Sequence, residues 1–110
     1  MPFTYQNFRA LILDAADCEN EEQYVAEAGS SVAGDLDAEG IISILHLIWL
    51  YNDGGLAALR QALGLSRAAL SREYGIPIRT LENWDAGVAE APRYVSDLIA
   101  YAILIDANEK

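Results

Sequence analysis

Apolar residues recur three and four positions apart along most of this chain, the spacing that puts one face of a helix against a core. Thr4 is a natural N-cap, with Phe3 and Phe8 placed as a hydrophobic staple, and Phe8, Leu11, Ile12 and Ala15 follow at helical spacing. A first helix is therefore predicted to end near Ala16 or Asp17. Asn20 opens a second, acidic helix over Glu21 to Ala28, which stops at Gly29-Ser30-Ser31, and residues 29 to 36 read as a loop. Asp37 caps a third helix running to about Asn52. Its segment Ile41 to Tyr51 is apolar almost all round apart from Ser43 and His46, so it is expected to be buried on every side as the central pillar. Asp53-Gly54-Gly55 is a hinge into a helix over Leu56 to Leu63. The last helix runs from Arg93 to about Ala107, with Val95, Leu98, Ile99 and Ala102 as its core stripe and Tyr94, Tyr101 and Ile105 beside it. The surplus apolar surface suits either a homodimer seam or packing on the N-terminal helices.

Residues 65 to 87, LSRAALSREYGIPIRTLENWDAG, carry a more specific pattern. Ser66 is an N-cap, with Leu65 and Leu70 in staple positions, so a helix starts near Arg67. Gly75 suits the left-handed position that closes this helix, and Pro77, with its fixed φ and missing N–H, suits the first position of the next. Gly87 ends that second helix. Leu70 and Tyr74, then Ile76, then Leu81 and Trp84 fall where two crossed helices interlock. Ser71 is small enough for a close crossing. The spacing predicts helix, tight turn, helix.

This pattern resembles the helix-turn-helix of the Cro-like, lambda-repressor-like (XRE-type) family of DNA-binding proteins. Leu70, Tyr74, Ile76, Leu81 and Trp84 match its buried positions, Gly75 its turn glycine and Gly87 its closing glycine. The resemblance extends from about Leu56 through Ala91-Pro92-Arg93-Tyr94-Val95 to roughly Ala107, about half the chain, and leaves the first 50 or so residues outside. It implies that the helix from Pro77 to Ala86 enters the major groove of double-stranded DNA. The base-reading residues would then be Ile78, Arg79, Thr80, Glu82 and Asn83. Arg79 suits guanine O6 and N7, Asn83 adenine N6 and N7, Glu82 cytosine N4, and Ile78 a thymine methyl. Ser66, Arg67 and the N–H groups at the start of the first motif helix would hold phosphates, with Arg60, Arg72 and Arg93 as further candidates. Arg79 and Glu82 are three apart, so they could equally pair with each other on a solvated face.

Charge changes the picture. The chain of 110 residues has 7 Lys plus Arg against 17 Asp plus Glu, a formal net charge of -10. Phosphate neutralisation supplies most non-specific DNA affinity, and a uniformly acidic protein would be repelled. The charge is uneven, however: residues 1 to 55 carry net -9 with Arg9 their only base, residues 56 to 93 carry +1 with five arginines, and the rest carries -2. Nearly all the acidity lies outside the motif. The segment after the second motif helix, Val88-Ala89-Glu90-Ala91, lacks the basic residue that such proteins often carry there. Modest affinity for a single site, with reliance on a homodimer, is the expectation.

Other chemistry finds little support. His46, the only histidine, is flanked by Ile44, Leu45, Leu47 and Ile48 and is expected to be a hydrogen-bonded core residue. One His and one Cys, Cys18, make no zinc set, and acids such as Asp14, Asp17 and Glu21 on a surface helix are usually just solvated. Neither a phosphate-cradling glycine loop nor a nucleophile elbow is present, so no enzyme, no catalytic residue, no metal and no cofactor are expected. The single cysteine suits a reducing cytoplasm; no apolar run of 18 residues and no signal-peptide pattern occur, so no membrane span is expected.

The expected fold is all-α, a compact bundle of about seven helices containing a lambda-repressor-like helix-turn-helix. Residues 1–54 would form an acidic N-terminal helical region and 55–110 the DNA-binding domain, packed as one unit. Two functions follow. One is a sequence-specific transcriptional regulator of bacterial or phage type. The other is a protein-binding module, such as an antitoxin or an inhibitor of a nucleic-acid enzyme, whose acidic N-terminal region occupies a basic surface on its protein partner.

Overall fold

The computed structural model describes residues 3–29 and 37–108. Most of the predicted loop over 29 to 36 therefore lies outside the described residues. The described chain is all-helical, in the order α1 (Tyr5–Ala16), α2 (Glu21–Ala28), α3 (Ala38–Ala62), α4 (Arg67–Tyr74), α5 (Ile78–Asp85) and α6 (Arg93–Asn108).

Helix starts follow the local chemistry. Thr4 Oγ1 accepts from the Asn7 N–H at 3.1 Å while Asn7 Oδ1 accepts from the Thr4 N–H at 3.2 Å, a reciprocal cap closed by Asn in place of the usual Glu or Gln. Asn20 Oδ1 accepts from Gln23 N at 2.8 Å, and Glu21 and Glu22 then lie in the first turn of α2, where the helix dipole favours negative charge. Asp37 Oδ1 caps α3 by accepting from Gly40 N at 2.8 Å.

Six helical elements replace the expected seven, because α3 absorbs the helix predicted over Leu56 to Leu63. The predicted hinge is nevertheless real. Gly55 has φ 72° and ψ −163°, a conformation essentially reserved for glycine, and α3 bends there. Gly54 is needed for a different reason, since a Cβ on it would stand 2.7 Å from the Cβ of Ala58.

The core is formed by Phe8, Leu11, Ile12 and Ala15 of α1, Tyr24 and Ala28 of α2, Ile44, Leu45, Ile48, Tyr51 and Leu59 of α3, Leu70 of α4, Leu81 of α5, and Ala100, Ile103 and Leu104 of α6. The four predicted positions of α1 are all among them. Phe3, Tyr5, Phe8, Tyr51 and Tyr101 add a cluster of rings with centroids 5.6 to 6.3 Å apart. Tyr24 OH donates to Leu11 O at 2.9 Å, tying α2 to α1, and Tyr101 OH donates to Phe3 O, tying α6 to the start of the chain.

Two expectations about burial are corrected. Helix α3 packs against α1, α2 and α6, yet it is not covered on every side: Ile42 is 51% exposed, and Ser43 and His46 are exposed as well. An apolar residue predicts burial only as a tendency, and three neighbouring helices leave a fourth side open. His46 accordingly is no core residue. Its Nδ1 donates to Glu21 Oε2 at 2.8 Å on the surface, linking α3 to α2. By length and composition α3 alone among the described helices could cross a bilayer, but it bends at Gly55 and turns Ile44, Leu45, Ile48 and Tyr51 into the core.

The second correction concerns α6. Its inward face is Asp97, Ala100, Ile103 and Leu104, while Leu98, expected in the core, is exposed together with Tyr94. The helix is rotated because Asp97, 1% exposed, is held inside. Tyr51 OH donates to its Oδ1 at 2.6 Å, Arg93 Nε donates to the same oxygen at 2.9 Å, and Arg9 Nε stands 3.6 Å from Oδ2. With the phenol proton committed to Asp97, the Ser96 hydroxyl, 2.7 Å away, donates to Tyr51.

Tyr51→Phe keeps the ring and removes a donor from a buried carboxylate, so it is expected to lower unfolding stability by about 1–3 kcal/mol in urea titrations. Burial chiefly, helped at Tyr51 by Asp97 and at Tyr74 by Asp106, raises the phenol pKa of Tyr24, Tyr51 and Tyr74 above the ordinary 10.0. The folded state thus keeps protons that the unfolded chain releases. Stability should be level with respect to these groups below about pH 10 and fall as pH rises beyond it. Urea midpoints at about pH 8 and pH 11 measure the drop, and Tyr24→Phe should remove part of it.

Candidate nucleic-acid interface

Helices α4 and α5 are joined by a tight turn that the sequence determines residue by residue. Ser66 Oγ accepts from Ala69 N at 3.0 Å and starts α4. Gly75 closes it at φ 71° and ψ 20°, its N–H donating to Ser71 O at 2.9 Å. That left-handed conformation costs other L-residues about 1–2 kcal/mol. Pro77 stands one position earlier than expected, as the residue that caps α5 rather than its first turn. Its carbonyl accepts from Thr80 N at 2.9 Å and Leu81 N at 3.2 Å, and no side chain caps the helix. Leu70 and Leu81 are buried, with Leu65, Tyr74, Ile76 and Trp84 packed around them. Tyr74 OH donates to Asp106 Oδ2, so α4 is also fastened to the end of α6.

The other side of α5 faces outward. Ile78, 46% exposed, Arg79 and Glu82 are exposed and line one ridge, with Thr80 and Asn83 half-buried at its sides. Of the five residues that the sequence nominates for base reading, three are thus exposed and two are half-buried. Arg79 and Glu82 form no ion pair, nor does Arg72, among the described residues. Arg79 therefore has its fork of donors available.

The nominated phosphate residues divide more sharply. Arg60 is turned inward, its Nη1 donating to Leu65 O at 3.0 Å and its Nη2 to Asp85 Oδ2 at 3.1 Å. Arg67 reaches the same carboxylate oxygen through Nε at 3.0 Å but keeps a side chain 45% exposed. Arg93 is committed to Asp97 and lies over the Tyr51 ring, 5.7 Å from its centroid. The Ser66 Oγ accepts its capping bond and keeps its own proton to donate, on an exposed residue. Arg72 remains, exposed, on the outer side of α4. Arg60 and Arg93 are thus structural, and the phosphate set reduces to Arg72, Arg67, the Ser66 hydroxyl and the N–H groups that open α4.

Asp85 is the residue that sequence reasoning missed here. It stands at the C-terminal end of α5, where the helix dipole disfavours an anion, and two arginines from α3 and α4 offset that cost. An acid at the unfavourable end of a short helix was the available signal that cations must approach it. The effect is to lock the far end of α5 against the end of α3 and the start of α4.

Compared with known proteins, the chain matches no family model, no curated protein and no solved structure.

The contrast between the arginines is measurable. Arg60→Ala removes two charge-assisted hydrogen bonds and should lower unfolding stability by about 1.5–3 kcal/mol. Arg72→Ala touches none and should stay within about 0.5 kcal/mol of the parent. Urea denaturation of the two variants compares them directly.

Proposed function

We propose that this protein is a sequence-specific DNA-binding regulator of transcription, of bacterial or phage type and acting in the cytoplasm, that reads the major groove with α5. The observation that carries this reading is the outward ridge of α5. It presents an aliphatic side chain, a guanidinium with no ion pair among the described residues and a carboxylate, Ile78, Arg79 and Glu82, on a helix that starts at Pro77 and is tied at its far end through Asp85. A groove reader needs side chains of mixed chemistry on a rigid support, because base edges differ in their donors, acceptors and methyl groups. In this reading Arg79 takes a guanine edge, Ile78 a thymine methyl and Glu82 a cytosine amine, while Asn83 and Thr80 contribute from the flanks of the helix. Arg72, the exposed part of Arg67 and the N-terminal N–H groups of α4 hold the backbone.

Few cations serve the phosphates, so a single copy binds modestly. Two copies on a two-fold symmetric operator multiply their affinity through effective concentration. Tyr94, 64% exposed, and Leu98 stand one turn apart on α6 and offer an apolar surface for that pairing.

Selection from a random duplex pool at low salt, followed by fluorescence anisotropy on the enriched sequence, tests the reading. Arg79→Ala should cost about 1–3 kcal/mol on the preferred site and relax specificity at one base pair. Arg72→Ala should weaken binding to all sequences alike and lower the slope of log K against log salt by about 1. A pool that yields no enriched sequence overturns the proposal.

A further inference from the structure

A second surface lies away from the α4–α5 pair and does not depend on how that pair is used. Between α2 and α3 runs an open groove of about 590 Å³, lined among the described residues by Val25, Ala26 and Ile42 together with Glu21 and Glu22. Ile42 is half-exposed there, although its own helix also sends Ile44, Leu45, Ile48, Tyr51 and Leu59 into the core. Glu39, also exposed, is one turn before Ile42 on the same helix.

The charge around this groove is lopsided in a way the internal ion pairs make worse. Residues 1 to 55 carry net -9, and their one base, Arg9, is drawn to Asp97 on α6. Glu22 and Glu39 thus have no lysine or arginine of their own segment to meet. Glu21 is oriented by His46, which holds its carboxylate through Nδ1.

We propose that this groove is a docking site for a basic amphipathic helix of a partner protein. Two adjacent helices with an apolar floor between them form the seat that an amphipathic helix fills with residues at i, i+3 or i+4, and i+7. Acidic edges then meet lysines or arginines flanking that apolar stripe. Nucleic acid and anionic lipid, which share the sign of this surface, are repelled from it. The complementary charge speeds encounter and makes it salt-dependent, and the apolar floor decides which basic segments stay bound.

A synthetic probe tests this on the full-length protein: a fluorescein-labelled helix of about 14 residues, roughly 21 Å long, built of Leu and Lys with the leucines on one face. A peptide of the same composition with the leucines dispersed around the helix is the control. Amide shifts in the 15N-labelled protein should concentrate in Glu21–Ala28 and near Ile42 and His46. The control peptide should bind at least about tenfold more weakly, and Ile42→Gln should weaken the amphipathic probe by about tenfold with helical content unchanged. Glu22→Gln should reduce the salt dependence. Equal affinity for the two peptides, or shifts centred on Tyr94 and Leu98, overturns the proposal. So does a concentration-dependent dimer of the protein alone that Ile42→Gln abolishes, since the groove's occupant would then be a second copy. Should Ile42→Gln fail to fold, the shift map and the control peptide still decide.

Discussion

A carboxylate sealed from water is the constraint around which this fold closes. Burying Asp97 costs several kcal/mol unless partners meet it, and they come from three helices: Tyr51 on α3 and Arg93 on α6 itself donate to it, and the Arg9 cation on α1 stands nearby. The requirement fixes more than a bond. It sets the rotation of α6, which in turn sends Ala100, Ile103 and Leu104 inward and leaves Tyr94 and Leu98 outside. The ring cluster of Phe3, Tyr5, Phe8, Tyr51 and Tyr101 packs where those same helices converge. Each such ring pair adds about 0.5–1.5 kcal/mol beyond its buried area.

Asp85 repeats the arrangement on a smaller scale, with Arg60 and Arg67 converging on one oxygen. In a chain so short of cations this has a functional cost. Of the five arginines between residues 56 and 93, Arg60, Arg67 and Arg93 are engaged with acids of the protein itself, and the outward charge of the α4–α5 pair is smaller than its composition implies. A surface with so few available cations gains little from attraction to any polyanion. On the proposed reading it discriminates through shape and the directed bonds of Arg79 and its neighbours on the ridge of α5.

Much of the backbone was legible because local rules dominate there. Thr4, Asn20, Asp37 and Ser66 each cap the helix that the sequence assigns to them, since a capping bond is made within three residues and needs no distant partner. Gly75 and Gly87 take positive φ as expected. What local rules could not reach was side-chain direction wherever a polar group is buried or an apolar one exposed. Asp97 interrupts an apolar run and conceals the true face of α6. Ile42 and His46 sit in an apolar stretch whose outer side no described helix covers. The exposed ridge of α5 was foreseen in Ile78, Arg79 and Glu82, but the inward turn of Arg60 was not. Leu65 is a local partner across the turn that ends α3, but Asp85 becomes a neighbour only once α4 and α5 have folded back.

The bend at Gly55 gives these halves a fixed phase. Successive residues of a helix advance by about 100° around its axis, so one residue inserted into the helical turns on either side of the bend would swing everything downstream by more than a quarter turn. Leu59 would leave the core and the α4–α5 pair would face another way. The Asp53-Gly54-Gly55 stretch has the composition of a tether, but it works as a keyed joint. Homologous chains should therefore keep the count of residues across it even where their identities drift.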